Sequence, residues 1–596
     1  MRIHIGDMKK LFIFLLVFLL IPLVIGARTV IKINGQEDFN RIQQKILSTI
    51  KSGEKKISVS FASGTYIVRE KHLMLDDINV PNVELYINGN GAILIPEGKK
   101  YKNGDTYNGS FSPNNSWMSG ARDINIWSPV RYADSLIEVL NPTTKECRLK
   151  GKEAYPLGTD CSNAYILVTQ WFRSYVYKVS KVVGQYIYFT AESLAPGYQK
   201  KGYNINNDYY FAGQNPRYKL CNLDINDEGF GIVNGRIRLP LGVVFVREGT
   251  TNRFILINKC TFRSIDISGL VFCGNSNRGN ASAINIKDTG CESICIHHCE
   301  FYGFRSNIIS LYSSQNVCVE NNIFQDGYVY GIWSDNGCRE TIVRRNSFLS
   351  MGKILNDTFC VVCRGTDFQV CNNTFTNFGY GGIGAGVHYK AEKKNKSTGI
   401  IERNELCYTK TYIDNKVNYT TMDAGAIYLW TKNDGVKVKY NYIHDIDGMK
   451  INQGIYCDDG ASNCEIIGNV VLGVANSNCI GSRRDDRAEE KNTPGTGIVS
   501  SNMNNVVKDN VVDGRILFVG NERKDNGCVV GNNYVLVEKG VASPAHKIIN
   551  VKEDGKLIEL TRIGSVSGRV SVSRTSYEML RKSREWKTIK KYVKMK

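Results

Sequence analysis

The sequence predicts an all-β protein whose body is a right-handed parallel β-helix, a solenoid carrying an N-terminal cap and an antiparallel β-domain inserted early in the chain. Two observations carry this expectation. In the second half, an apolar residue recurs fourteen positions before an Asn, in the pairs Ile308/Asn322, Ile332/Asn346, Phe359/Asn373, Ile427/Asn441 and Ile455/Asn469. Counting Asn404 among them, these Asn residues advance by 24, 27, 31, 37 and 28 positions, as one structural unit does when it repeats with connections of variable length. A local pattern also recurs, in which an apolar residue, an Asn and a second apolar residue follow at fixed offsets. It reads Val319, Asn322, Phe324, then Val343, Asn346, Phe348, and continues to Val530, Asn533, Val535. The apolar positions alternate as on a strand with one buried face, and the Asn between them can stack on the Asn of the next coil and bond along the ladder.

The elements follow in chain order. Residues 1–27 read as a signal peptide: Lys9 and Lys10 precede the apolar run Leu11 to Ile25, which contains Pro22 and closes on Gly26-Ala27. A membrane anchor is the rival reading of this run. Export predicts a periplasmic or secreted bacterial protein with no stable membrane insertion once the leader is removed. Residues 28–100 form the cap and first rungs. There Asp38 stands as N-cap candidate before a helical pattern to Leu47, and strand-like runs cover Ile57 to Phe61, Thr65 to Val68, Val83 to Ile87 and Ala92 to Ile95.

Residues 101–241 drop the coil pattern and read as the antiparallel insert. Its strands are expected at Tyr165 to Thr169, Tyr175 to Val179 and Tyr186 to Thr190, the last two joined across Val183-Gly184-Gln185. Residues 242–540 hold the β-helix and the site, and 541–596 a C-terminal cap and basic tail. Near the start of the helix, Ile257/Cys260/Phe262 and Ile267/Leu270/Phe272 both match the coil pattern but lie too close together to open separate coils, so one match is accidental.

The formal net charge of +19 fits an exported protein that meets acidic polysaccharides, and no nucleic acid is expected as partner. The 18 cysteines fall mostly in or beside apolar strands, where a small thiol packs well. Cys291, Cys295 and Cys299 have a spacing that could hold a metal, but they lie across a strand pattern without a second cluster, and no metal is expected.

Aligning coils on their Ile residues places Asp335, Trp430 and Asp458 in one column, three positions after Ile332, Ile427 and Ile455. With the Ile inward, the third residue points outward, and coils about 4.8 Å apart let such side chains converge on one sugar ring. Trp430 beside Asp458 sets an aromatic face next to a carboxylate. Asp423 stands four residues before Ile427, and the doublet Asp458-Asp459 falls one coil later. Cleavage of a glycosidic bond needs one carboxyl group to protonate the leaving oxygen and a second to attack or to activate water. Asp423 with Asp458 or Asp459 supplies such a pair; the plain alternative is that Asp459-Gly460 forms a turn and Asp423 is a solvated cap.

Tyr428 and Tyr456, one residue after the aligned Ile, join the substrate-binding candidates. So do His388, ahead of a long loop, and Arg483 and Arg484, which could clamp a uronate or sulfate or else pair with Asp485 and Asp486.

The segments Met422 to Trp430, Asn441 to Asp445 and Gly454 to Gly460, with the cap and the insert, resemble glycoside hydrolase family 141, exported bacterial β-helix enzymes associated with fucosidase and xylanase activities on complex plant glycans. The resemblance implies that Asp423 and one member of the Asp458/Asp459 pair correspond to the family's catalytic carboxylates. Two other functions remain open. A polysaccharide lyase would recruit Arg364 or the Arg483 group for β-elimination on a uronate, with Ca²⁺ held by Asp423, Asp458 and Asp459. A non-catalytic glycan-binding solenoid would use the same wall for affinity alone. Under hydrolysis no cofactor is expected, and the partner is a polysaccharide or oligosaccharide.

Overall fold

The computed structural model describes residues 28–35, 38–68, 72–96, 124–125, 131–132, 137–141, 143–144, 146–151, 164–170, 173–190, 217–223, 231–233, 236–238, 254–273, 282–304, 307–325, 327, 329–351, 358–386, 396–409, 424–430, 433–446, 452–458, 461–474, 478–482, 504–519, 527–538, 547–549 and 552–562. The leader candidate at 1–27 and the basic tail lie outside them. Among the described residues no helix is long and apolar enough to cross a membrane.

Each full coil contributes three strands. Ile309–Tyr312 lies in a 12-stranded parallel sheet, and Val317–Glu320 and Ile323–Gln325 lie in a 23-stranded sheet that bends between them. The bend has a fixed chemistry. The residue before most ladder positions adopts left-handed backbone, as in His298, Asn321, Arg345, Asn372, Arg403, Tyr440 and Asp509, with φ between 51° and 59°. Such a residue turns the chain sharply and leaves polar backbone groups to be satisfied. The ladder Asn satisfies them. Asn322, Asn346, Asn373, Asn404, Asn441, Asn469 and Asn510 each donate through Nδ2 to Oδ1 of the next Asn at 2.9–3.0 Å, ending on Asn533. Each also donates to a strand carbonyl of the preceding coil, and its own backbone N–H reaches the next Oδ1. Beside this ladder Phe272, Phe301, Phe324, Phe348 and Phe375 stack with ring centroids 4.6–4.9 Å apart.

Register amends the sequence alignment at two coils. Ile309, Ile332, Val361, Ile383, Ile427, Ile455 and Ile480 are successive partners, so Ile309 and Val361 take the column positions that the fourteen-residue spacing assigned to Ile308 and Phe359. The turn between the sheets changes length from coil to coil, and the spacing to the Asn changes with it. Of the two crowded matches, Ile267 opens the real coil, pairing with Ile296, while Ile257 belongs to the 12-stranded sheet.

At the N-terminus, the helix Phe39–Lys51 is capped by Asp38, whose carboxylate accepts from Asn40 N at 3.0 Å, and Phe39, Ile42 and Ile46 close the end of the core. The runs Val83 to Ile87 and Ala92 to Ile95 belong to one long strand, Asn79–Pro96, because left-handed Asn90 and Gly91 bend the chain without breaking its pairing to Thr261–Cys273. Between cap and helix, Ala164–Gln170, Arg173–Val183 and Tyr186–Thr190 form antiparallel pairs, with Gly184 at φ 58° in the tight turn between the last two.

Cys291, Cys295 and Cys299 are free thiols. Cys291 and Cys299 are buried in the core, where burial pushes their thiols up to about 11 and about 12, whereas Cys295 points outward, so the three do not converge.

Further along the same sheet, His444 lies between Asp445, 2.8 Å from Nδ1, and Glu405, 3.2 Å from Nε2. Burial alone would lower its pKa, but hydrogen bonds to Asp445, Cys407 and Glu405 outweigh this and hold it up at about 11. A raised pKa stabilises the fold most below the ordinary histidine value, and that contribution fades as pH rises through about 11. The stability gap between the wild type and His444→Gln is therefore expected to shrink steadily from neutral pH upward. Urea titrations at several alkaline pH values measure it, and a gap that stays constant or widens contradicts the assignment.

Candidate functional site

On the 12-stranded sheet the residues that follow the inward Ile column by one and by three face outward. Backbone hydrogen bonds continue past the strand ends and fix the second of these columns. Asp335 N donates to Leu311 O at 3.1 Å, Arg364 N to Ser334 O at 3.0 Å, Gly386 N to Cys363 O at 3.2 Å, Trp430 N to Ala385 O at 2.8 Å and Asp458 N to Leu429 O at 2.9 Å. Asp335, Arg364, Gly386, Trp430 and Asp458 thus occupy successive coils of one outer wall.

Beside them runs an aromatic cluster. Phe359, Tyr380, Tyr428 and Tyr456 are buried on the outside of the sheet, with Tyr330, Trp333 and Trp430 packed at their margin. Trp430 lies 4.9 Å from the Phe359 ring and 5.0 Å from Tyr428. It reaches across the preceding coil because Gly384 has no side chain there; a Cβ at Gly384 would stand 2.7 Å from the indole. Gly381 makes room in the same way for Phe359, 2.5 Å from where its Cβ would be.

Asp458 sits at the edge of this cluster, only 3 % exposed. The Tyr456 hydroxyl donates to its Oδ1 at 3.0 Å and the Tyr428 hydroxyl donates to its Oδ2. A buried carboxyl group needs such partners, and two phenols from adjacent coils fix its orientation as an acceptor. Tyr428 and Tyr456, expected to meet substrate, are 3 % and 2 % exposed. Their visible work is to position Asp458, while Trp430 is only partly buried.

Arg364 is the unusual group. Its guanidinium lies over Trp333 at 4.3 Å from the ring centroid and 5.6 Å from that of Trp430. Its Nε is shielded from solvent and has no hydrogen-bond partner. Burial lowers its pKa, with Tyr330 and Asp335 acting weakly in the other direction. Asp335 itself is committed to a turn, since its Oδ1 accepts from Ser313 N at 3.1 Å, Gly337 N at 2.9 Å and Cys338 Sγ at 3.3 Å.

Of the sequence candidates, Asp335, Tyr428, Trp430, Tyr456 and Asp458 come together on this wall. Asp423, Asp459, His388, Arg483 and Arg484 lie outside the described residues. The alignment on Ile passed over Arg364, Trp333, Phe359 and Tyr380. The signal was available: Arg364 stands three positions after Val361, but a coil opened by Val and displaced by two residues does not line up with the Ile coils.

A separate group sits on the 23-stranded sheet, where Asp266, Cys295 and His297, and likewise Cys295, Cys318 and Glu320, bring donor atoms within 4.8 Å of one another. His297 Nε2 is already paired with Asp266 at 2.9 Å and Glu320 with Arg344 at 2.5 Å, so these groups satisfy each other.

No family model matches the chain, and no curated protein matches it. Among solved structures it is similar to a glycoside hydrolase, with 11 % identity, 89 % of this chain and 97 % of that chain covered, and a TM-score of 0.49. It is also similar to the A-module of an Azotobacter vinelandii mannuronan C-5 epimerase (AlgE4), with 11 % identity, 90 % and 97 % covered, and a TM-score of 0.35. An alginate lyase from Paenibacillus shows 12 % identity, 50 % and 91 % covered, and a TM-score of 0.22. Likenesses this remote carry no chemistry across, and the site must be read from its own geometry.

Proposed function

We propose that the protein is an exported glycoside hydrolase that cleaves a complex polysaccharide by a two-carboxylate mechanism, in keeping with its sequence resemblance to glycoside hydrolase family 141. The observation that carries this reading is Asp458: a buried carboxyl group, held by two tyrosine hydroxyls, next in column to a partly open tryptophan. A carboxylate fixed as an acceptor suits attack on the anomeric carbon or removal of a proton from the attacking water. Asp423, immediately before the Ala424–Leu429 strand, or Asp459, next to Asp458, supplies the proton to the leaving glycosidic oxygen. The bond from anomeric carbon to bridging oxygen breaks, the new hydroxyl on the departing sugar takes that proton, and water ultimately adds to the other sugar. Trp430 offers the aromatic face on which a pyranose packs.

One observation favours a lyase instead. Burial lowers the pKa of Arg364, and an arginine with a depressed pKa can serve as the base in β-elimination on a uronate. Incubating the protein with a panel of plant and bacterial polysaccharides separates the two. New reducing ends without an unsaturated product support hydrolysis, and an unsaturated sugar absorbing in the ultraviolet supports elimination. Binding of a polymer with no cleavage at all would leave a glycan-binding solenoid.

A further inference from the structure

We infer that this wall recognises an anionic sugar, and that Arg364 is the residue that binds its carboxylate or sulfate. The inference rests on the proposed glycan-active reading of the wall and adds the charge class of its substrate.

An isolated charge shielded from water is costly unless paired, and proteins normally supply a carboxylate when they bury an arginine. Among the described residues none pairs with Arg364, which is half-buried with its Nε shielded from solvent. Among these residues it makes no side-chain hydrogen bond or ion pair, and its guanidinium lies against the rings of Trp333 and Trp430. Asp335, the acid one coil away in the same column, is held by two backbone N–H groups and a thiol. Indole faces hold a guanidinium in place while leaving its hydrogen-bonding edge unused. That edge matches a planar carboxylate or a sulfate in two-pronged fashion.

The placement suits a polymer. Arg364 and Asp458 lie in one column three coils apart, about 14 Å at the usual coil spacing, so a chain laid along the wall meets Asp458 at one sugar and Arg364 at another. Gly386 between Arg364 and Trp430 adds no side chain to that path. The formal net charge of +19 draws a polyanion to the surface before this contact forms. Arg364 is thus a specificity residue, apart from the reacting atoms.

Affinity electrophoresis of the wild-type protein tests this in gels containing polygalacturonate, glucuronoxylan, alginate or a carrageenan. Each polymer is used native and after carboxyl reduction or desulfation. At least one native polymer is expected to retard the protein, and removal of its charge should weaken binding by about tenfold to a hundredfold. Loss on carboxyl reduction identifies a uronate, and loss on desulfation a sulfate ester. Arg364→Met, which retains the stem between the indoles, should show the same loss on the native polymer and none on the neutralised one. Arg364→Lys should retain part of the affinity.

Failure of every charged polymer to retard the wild type overturns the inference. So does equal binding of native and neutralised forms, or an Arg364→Met loss that is the same on both. Reducing ends are measured in parallel: charge-dependent binding through Arg364 without cleavage sinks the hydrolase reading alone, and cleavage with charge-indifferent binding sinks this one alone.

Discussion

Asp458→Asn is expected to lower hydrolytic turnover by about 10³-fold or more while leaving the fold intact, which is the scale set by removing a positioned acid–base or nucleophilic carboxylate. The substitution is close to isosteric and keeps an oxygen for the Tyr428 or Tyr456 hydroxyl, so the surrounding aromatic cluster stays packed. It removes the charge and the nucleophilicity. The expected signature is therefore lost release of reducing ends with unchanged unfolding midpoint and retained polysaccharide affinity. Removing one supporting hydroxyl should show an intermediate effect, because Tyr456→Phe leaves the carboxyl group in place but frees one oxygen from its 3.0 Å partner. Turnover of Asp458→Asn within tenfold of wild type would remove this residue from the chemistry.

The largest effect on stability is expected in the Asn ladder. Asn404 is 1 % exposed and accepts through Oδ1 from Asn373 N at 3.0 Å and from Asn373 Nδ2 at 2.9 Å. Its own Nδ2 donates to Val370 O at 2.8 Å and to Asn441 Oδ1 at 3.0 Å. Asn404→Ala leaves the buried Asn373 N–H and the Val370 carbonyl of the preceding coil without these partners, in a place that water does not reach. With each orphaned group costing about 1–3 kcal/mol, a loss of roughly 3–5 kcal/mol is expected in chemical denaturation. Because coils contact only their neighbours, the lesion should also make unfolding less cooperative by separating the coils on either side. A change below about 1 kcal/mol would mean that the ladder contributes far less than its geometry implies.

The fold was largely legible in the sequence because the same two demands recur in every coil. A left-handed bend residue must precede a group that satisfies the backbone, which writes Asn at a recurring position, and the stacked core writes Phe, Leu or Val two residues later. The site was legible only in part. Trp430 and Asp458 were found because their coils open with Ile at the same offset. Arg364 was read only as a possible base for a lyase and was not placed in this column, because its coil opens with Val361 and a displaced spacing, and because a lone arginine in a strand gives no sign that it will lie against two indoles. The burial of Tyr428 and Tyr456 also eluded the pattern. Outward alternation reads as exposure, whereas here the outside of the sheet carries its own aromatic layer, made possible by Gly381 and Gly384 on the neighbouring coil.

The most direct measurement is product analysis of wild-type protein and Asp458→Asn, side by side, on whichever polysaccharide the wild type cleaves. Saturated products with new reducing ends, lost in Asp458→Asn, are the expected result. Unsaturated products, or full hydrolysis by Asp458→Asn, would contradict the account.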